Sequence, residues 1–452
     1  MPDPRPPQPA RVLGTLDAAC VVIGAIIGVG IFRQPSAAAA AAGDATLTLA
    51  AWALAGGIAL CGALVFAELG ARFNSSGAQY GILRDAYGPM PAFLFVFCNA
   101  TAIQAGAIGV IAVICAENLG FAFGRGAPEG LTLLGIAVVL IMGVTAANMI
   151  GVRWGSRIQN ITVFCKVLTL LAVTALAAVA APAVALAPVA APKTGSAAIV
   201  GVLAALVPAL FSYGGWQQAL WISGEVREPR RTLPRAIVGG VVLVVAAYVL
   251  ANWAYLRLLG HAGVVHSSSV AADAVGTVFP GWGPRAVGAA VAISAFGVLN
   301  AQLLAGPRLI YGMARDGRFF EVFGRLSGRN GSPVAAILLL TFMALVLLVL
   351  ARVTPGDIVG KLTDGVVFVD TVFFALTGVA LMIFRRRESD LERAEARFRI
   401  PLYPVVPLLF ILGEFGVLAG ALVPESARTS ALFGLAWIGV AAVLYVVRFR
   451  GK

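Results

Sequence analysis

Gly24-Ala25-Ile26-Ile27-Gly28-Val29-Gly30-Ile31-Phe32, closed by Pro35, lies in the first long apolar run of the chain. Glycine costs about 1 kcal/mol relative to alanine inside a helix. Three glycines within Gly24–Gly30 therefore weaken the run at its centre. A helix that unwinds in a bilayer bares N–H and C=O groups that lipid cannot satisfy, so it persists only where protein or a water-filled cavity surrounds it. Two readings fit the stretch taken alone. The glycines let helices pack closely, as small-residue motifs do, or they mark a break that lines a cleft. In the second case the helix resuming near Gly30 directs free N–H groups and a partial positive charge at the cleft, which suits a carboxylate.

The rest of the chain sets the class. Sixty per cent of its 452 residues are apolar and 12% are charged, and the mean hydropathy is +0.92. Soluble domains carry about 25% charged residues. Runs of about 20 apolar residues, the length a bilayer core demands, recur near 13–37, 46–71, 89–117, 130–149, 157–181, 199–222, 235–257, 284–314, 333–351, 362–384, 401–423 and 429–448. They are continuous and rich in Ala, Leu and Gly, with no period of two, which excludes a membrane barrel. The expected fold is an all-α integral membrane protein with twelve transmembrane helices. A proline-rich tail is expected at 1–12 and a short C-terminal segment at 449–452. No cleavable signal peptide is expected, because the first apolar run is too long and lacks a small-residue cleavage site.

The net charge of +12 is a topology signal. With the N-terminus placed in the cytoplasm, Lys and Arg fall in the inside segments over the outside ones by about three to one, the positive-inside pattern. Arg227, Arg230, Arg231, Arg235 and Arg385 to Arg387 are inside, while Arg125, Lys193 and Arg257 are outside. Both termini are thus expected in the cytoplasm of a multi-pass cytoplasmic-membrane protein. The same excess implies affinity for anionic lipid headgroups, and nucleic acid is not implied.

Span six carries a second interruption: Phe211-Ser212-Tyr213-Gly214-Gly215-Trp216, with Pro208 just before it. Interrupted helices at corresponding positions of two halves point to an inverted-repeat transporter with its site at the midplane. Spans one and six lie five apart, so the repeats are expected at 13–181 and 199–384, a five-plus-five arrangement with discontinuous helices 1 and 6. Spans eleven and twelve, at 401–448, stand outside it. This pairing favours the cleft reading of the first break.

Charged groups in spans are functional candidates. Lys166, in span five, is the one lysine in a predicted membrane interior. It either alternates between charged and neutral during transport or is a permanent ammonium bonded to carbonyls of a broken helix. Glu68 has Arg72 four residues on as an intrahelical partner. Asp370 either lines the inner vestibule or is bonded within the bundle, and Asp17 reads as a helix-end residue. Cys20, Cys61, Cys98, Cys115 and Cys165 all fall in or at the ends of spans, which implies no disulfide framework. His261 and His266 share an external loop without a Cys or carboxylate cluster, so a solvated role is expected and no metal site.

These motifs together resemble those of the amino acid–polyamine–organocation superfamily, most closely its L-type amino acid transporter branch. The first is Gly28-Val29-Gly30-Ile31-Phe32. The second is Ala67-Glu68-Leu69-Gly70-Ala71-Arg72-Phe73 through Ser76-Gly77-Ala78-Gln79-Tyr80. The third runs from Phe211 through Glu225-Val226-Arg227-Glu228-Pro229 to Ile237. The fourth comprises Ser294, Asn300 and Arg308-Leu309-Ile310-Tyr311-Gly312-Met313-Ala314-Arg315-Asp316-Gly317. The resemblance covers essentially all twelve spans.

What it implies is carried over residue by residue. The substrate carboxylate meets the N–H groups of Val29, Gly30 and Ile31, beside Gly28, and its ammonium meets the carbonyls of Ile26, Phe211, Ser212 and Gly214. Phe211 resembles the aromatic that closes the site toward the outside. Trp216 shapes the cavity or is packed in the bundle. Lys166 matches a lysine that links span one to span eight, with Ser294 as a hydroxyl partner, and sodium coupling is not expected. Two departures stand out. Val29 replaces a small hydroxyl residue, and Arg33 follows the motif at or just above the cleft. The external loop from Glu117 to Glu129 lacks the cysteine by which heteromeric relatives hold a partner subunit, so no disulfide-linked heavy chain is expected.

The expected function is therefore secondary transport of neutral L-amino acids, by exchange or proton-linked uptake, without a cofactor; the alternative is transport of another small zwitterion or of a cationic amino acid or amine. Arg33, and the absence of an acidic residue assigned to the cleft, argue against basic amino acids, polyamines and other cations. A membrane enzyme would need a catalytic constellation at membrane depth. A channel would need a selectivity sequence, and direct ATP drive a phosphate loop. None of these is legible.

Overall fold

Backbone in lipid must satisfy its own polar groups, so the long apolar runs coil into helices. The computed structural model describes residues 10–180, 194–327, 331–353, 358–389, 398–421 and 425–450. The expected tail over 1–9, Lys193, Arg329, Arg393, Arg397 and the last two residues lie outside the described residues. Among the described residues, nine helices are long and apolar enough to cross a membrane, ten if the bent pair at the N-terminus is one span. No strand occurs among them beyond the single bridge of Leu13 to Val226.

The first apolar run forms α1 (Thr15–Ile26) and α2 (Gly30–Ala42), bent by 44°. Asp17 caps α1: its Oδ2 accepts Gly14 N–H at 2.9 Å, and Oδ1 accepts from Ser156 and Asn160 at 2.8 Å each. Helix α3 (Ala45–Arg72) starts on Asp44, whose carboxylate accepts Leu47 N–H at 2.8 Å. A short helix, α4 (Ala78–Tyr87), follows. This segment falls between the expected spans two and three, and it buries one face on the bundle. Span three is α5 (Pro89–Cys98), a π-helical turn over Asn99–Ile103, and α6 (Gln104–Ala122). Then come α7 (Gly130–Ile150) and α8 (Val152–Val179).

Beyond residue 194, α9 (Gly195–Tyr213) stops at the paired glycines and α10 (Gln218–Trp221) resumes beyond them. Helix α11 (Pro229–His266) outruns the expected 235–257 and turns at Gly260, where φ is 67°. His261 is therefore not a free loop residue. It sits on this last turn, with Nε2 3.0 Å from the Ala39 carbonyl. The connection onward holds α12 (Val270–Gly276). Span eight, expected as one helix, is divided at Gly306-Pro307 into α13 (Gly283–Ala305) and α14 (Pro307–Arg315). Proline cannot donate to the preceding turn. The remaining helices are α15 (Val334–Val353), α16 (Ile358–Arg387), α17 (Val405–Ala421) and α18 (Glu425–Leu444).

Burial orders these helices from centre to rim. The most apolar windows of Pro89–Ala122 and Gly283–Arg315 are each 72% buried, against 28% for Gly130–Ile150, which leaves the last facing lipid. Helix α6 packs along α13 and α3 along α11, while α1 is enclosed by α8, α11 and α13. Two ion networks tie one end. Glu68 Oε1 accepts from Arg72 at 2.7 Å, the expected intrahelical pair, and also from Arg385 Nε at 2.9 Å; its Oε2 accepts Ile400 N–H at 2.8 Å. Arg308 grips Glu225 through Nε–Oε1 at 3.0 Å and Nη2–Oε2 at 3.3 Å, with side chains only 1% and 3% exposed.

Candidate functional site

The last turn of a helix leaves carbonyls without intrahelical donors. In α1 these are taken by side chains from three neighbouring helices. Lys166 Nζ, on α8, donates to the Gly24 carbonyl at 2.8 Å. The Tyr248 hydroxyl, on α11, donates to Ile26 O at 2.9 Å, and Ser294 Oγ, on α13, donates to Ile27 O at 3.2 Å. Lys166 and Ser294 thus meet carbonyls three residues apart at the end of α1. The lysine reaches α13 by packing: a Cβ at Gly297 would stand 3.0 Å from Lys166 Cε and 2.5 Å from Thr162 Oγ1.

Beyond the break, α2 begins with free donors. The N–H groups of Val29, Gly30 and Ile31 make no backbone hydrogen bond among the described residues, and the first turn is joined at Phe32 N to Val29 O, 3.2 Å. At the second break Gly214 is extended, and its N–H reaches the Phe211 carbonyl at a long 3.4 Å. Gly215 has φ of 130°, which side-chain-bearing residues rarely adopt.

The two breaks touch. A Cβ on Gly215 would lie 2.7 Å from the Ala25 carbonyl carbon. One on Gly30 would lie 2.9 Å from Ser212 Oγ and 3.0 Å from Ser212 Cα. Ser212 Oγ itself donates to Pro208 O at 2.9 Å. The N-terminus of α2 and the C-terminus of α9 thus meet through glycine, which places an N–H end and a C=O end of opposite dipole sign side by side.

Both breaks border one cavity of about 220 Å3. Of the residues singled out from sequence, Ile26, Gly28, Val29, Gly30, Phe211, Ser212, Gly214 and Trp216 line it. Ile31, Lys166 and Ser294 are buried behind this wall. Arg33 is exposed and is not among the lining residues. Ile103, Ala107, Val110 and Ile111 from span three, with Val298 from α13, form an apolar stretch of wall.

Other lining residues correct the sequence reading. Asp370 on α16 and Glu414 on α17 both border the cavity, so the expectation of a cleft without acid does not hold. Asp370 Oδ1 is buried without a hydrogen-bond partner. Gln104, Gln217, Gln218 and Gln302 also line the cavity, and Gln218 Nε2 donates to Gln302 Oε1 at 2.5 Å. None of the four glutamines was singled out. The available signal for Glu414 was a lone carboxylate in the apolar run 401–423, which at membrane depth is a functional candidate by default.

Known proteins share this chain's pattern from end to end. The family model described as amino acid permease matches residues 13–443. A serine/threonine exchanger of Bacillus subtilis, SteT, is 30% identical over 95% of this chain and 96% of its own length. The human b(0,+)-type amino acid transporter 1 is 30% identical over 92% of this chain and 84% of its own. The human large neutral amino acids transporter small subunit 2 is 28% identical over 88% and 74%. These relatives are transporters, and their likeness joins the apolar helices in indicating a multi-pass membrane protein. The chain belongs to the amino acid permease family of the amino acid–polyamine–organocation superfamily.

Proposed function

We propose that this protein is a secondary transporter of neutral L-amino acids that works by alternating access. The observation that carries the reading is the abutment of the two helix breaks on one cavity. There the free N–H groups of Val29, Gly30 and Ile31 offer a carboxylate site, and the carbonyls of Phe211, Ser212 and Gly214 offer an ammonium site. The Ile26 carbonyl already accepts from Tyr248, so it contributes a second lone pair at most. Phe211, which is 36% exposed, borders the cavity as the gating aromatic, and Trp216 shapes its wall. The apolar wall from Ile103 to Ile111 receives an uncharged side chain.

Matched burial supports the five-plus-five inverted repeat. Ala45–Arg72 and Pro229–His266, spans two and seven, are each 50% buried, and spans three and eight are each 72% buried. Ile358–Arg387 and Val405–Ala421, added to the ten spans, complete twelve. The charge bias supports a cytoplasmic membrane location with both termini inside. The likeness to a serine/threonine exchanger supports exchange as one mode, with proton-linked uptake as the other. No disulfide-linked subunit belongs to this reading.

Purified protein in liposomes is expected to take up labelled alanine, serine or leucine saturably, and counterflow with unlabelled amino acid separates exchange from net uptake. Absence of saturable uptake of every neutral amino acid, in both modes and across a pH series, overturns the proposal.

A further inference from the structure

Helix α8 has two unlike faces. On one, Ser156 and Asn160 bond Asp17, Gln159 Nε2 donates to the Cys20 carbonyl at 3.3 Å, and Lys166 holds Gly24. That face carries α1. The opposite face presents Trp154, Ile161, Phe164, Leu168 and Leu171, each 50% to 68% exposed. Their spacings of seven, three, four and three residues align them as one stripe. From Ile161 to Leu171 the stripe runs about 15 Å at the helical rise. That is about half the hydrocarbon thickness of a bilayer, the depth of one leaflet.

The stripe ends on charge. Arg153 and Arg157 stand exposed at its N-terminal end, and the Arg157 guanidinium lies 5.6 Å from the centre of the Trp154 ring. Neither arginine forms a salt bridge or hydrogen bond among the described residues. Beside them opens a recess of about 460 Å3, bordered by Val12, Ile150, Arg153, Trp154, Arg157 and Glu225. Glu225 is the one acid on that wall among the described residues, and Arg308 already grips its carboxylate. The charge left at the recess is positive. An arginine fork matches phosphate oxygens in pairs, and tryptophan favours the headgroup level of a bilayer.

We infer that Arg153, Trp154 and Arg157 bind the headgroup of one anionic phospholipid, whose acyl chain lies along Ile161, Phe164 and Leu168. The phosphodiester meets the two unpaired guanidinium groups, and the stripe continues from them at leaflet depth. The charge bias assigns this end of α8 to the cytoplasm, the side whose leaflet carries anionic lipid. A second copy of the chain suits the face less well. Two-fold pairing through the stripe sets the arginines of one copy against those of the other, a like-charge contact. The site does not depend on the transport reading, and its occupant braces the helix that carries α1.

The test titrates the full-length protein in detergent with phosphatidylglycerol or with zwitterionic phosphatidylcholine and reads the melting midpoint. Phosphatidylglycerol is expected to stabilise wild-type protein at the lower concentration. Arg153→Gln and Arg157→Gln each raise its half-saturating concentration about fivefold, the scale of one arginine at an anionic surface. Arg157→Lys, which keeps the charge but not the fork, raises it less, and Phe164→Ala weakens binding through the tail. These side chains are exposed, so the variants are expected to keep the wild-type midpoint without added lipid. Replacing Arg230, Arg231 and Arg235 together by Gln removes three other exposed arginines and is expected to leave the titration unchanged. Equal responses to the two lipids, or a wild-type titration in the double Arg153→Gln, Arg157→Gln variant, overturns the inference. An equal loss in the triple variant also overturns it, since diffuse attraction then suffices. Stabilisation by glycerol phosphate at the same concentration does so too, because a free anion is then the ligand. A Phe164→Ala variant that dissociates a cross-linkable dimer and keeps its lipid response gives the face to a second copy instead.

Discussion

Lys166 Nζ donates to the Gly24 carbonyl at 2.8 Å from a side chain that is 1% exposed. The amine therefore completes the last turn of α1 from outside it, directly before the break. A hydrogen bond contributes about 0.5–1.5 kcal/mol, enough to bias the position of a half-helix. Lys166→Ala is expected to slow transport about tenfold or more while weakening equilibrium binding less, because the cavity wall itself is intact. Parallel uptake and binding titrations of one preparation check this. Normal transport at every pH would reduce the contact to simple packing.

Gly30 faces Ser212 with no room for a methyl group. Gly30→Leu is expected to abolish protection of the cavity by substrate while the protein remains folded, and Gly30→Ala to weaken it. Adding Ser212→Gly removes both the Oγ and the Cβ that crowd position 30, and is expected to restore part of the binding lost in Gly30→Ala. Substrate protection of a cavity-lining cysteine from a thiol reagent reads all three variants.

Gly215 combines a φ of 130° with an approach to the Ala25 backbone. An alanine there bears both the conformational penalty, about 1–3 kcal/mol, and a clash with backbone that cannot rotate away. Gly215→Ala is expected to lower the melting midpoint in detergent. The same substitution at Gly57, whose Cβ would meet nothing within 4 Å, is expected to leave it unchanged or slightly raised.

Removing one partner of a buried ion pair strands the other, at a cost of about 3–5 kcal/mol. Arg308→Met and Glu225→Gln are each expected to lower stability by about this amount. The pair Arg308→Met with Glu225→Leu is expected to recover much of the loss. A double-mutant cycle on unfolding in detergent measures the coupling.

Both breaks were legible because glycine acts locally. Gly28, Gly30, Gly214 and Gly215 disturb their own turns whatever surrounds them, and the positions at which α1 and α9 stop follow from that. The Asp17 cap on Gly14 and the Glu68–Arg72 pair were legible for the same reason, each joining residues a helical turn or less apart, whereas the bonds of Asp17 to Ser156 and Asn160 and of Glu68 to Arg385 were not. The acid in the cavity was not legible. Glu414 becomes a wall residue only when α17 packs on α16 and on α3 and α9, the last two contacts joining residues hundreds of positions apart. Arg33 misleads in the opposite direction. It is three residues from Gly30, yet the 44° bend sets which side of α2 meets the cavity, and no spacing rule reports that angle. The Tyr248 contact to Ile26 was hidden likewise, since one tyrosine in a long apolar run carries no mark of its partner.

The enclosed Arg308–Glu225 pair has a consequence for how such a chain changes over generations. Each side chain is paired with the other, with Arg308 also bonded to the Leu304 carbonyl. A single mutation at either position meets a deep valley, whereas simultaneous replacement crosses it. These two positions, 83 residues apart, are expected to change together, and a consensus design that alters one alone would strand the other's buried charge.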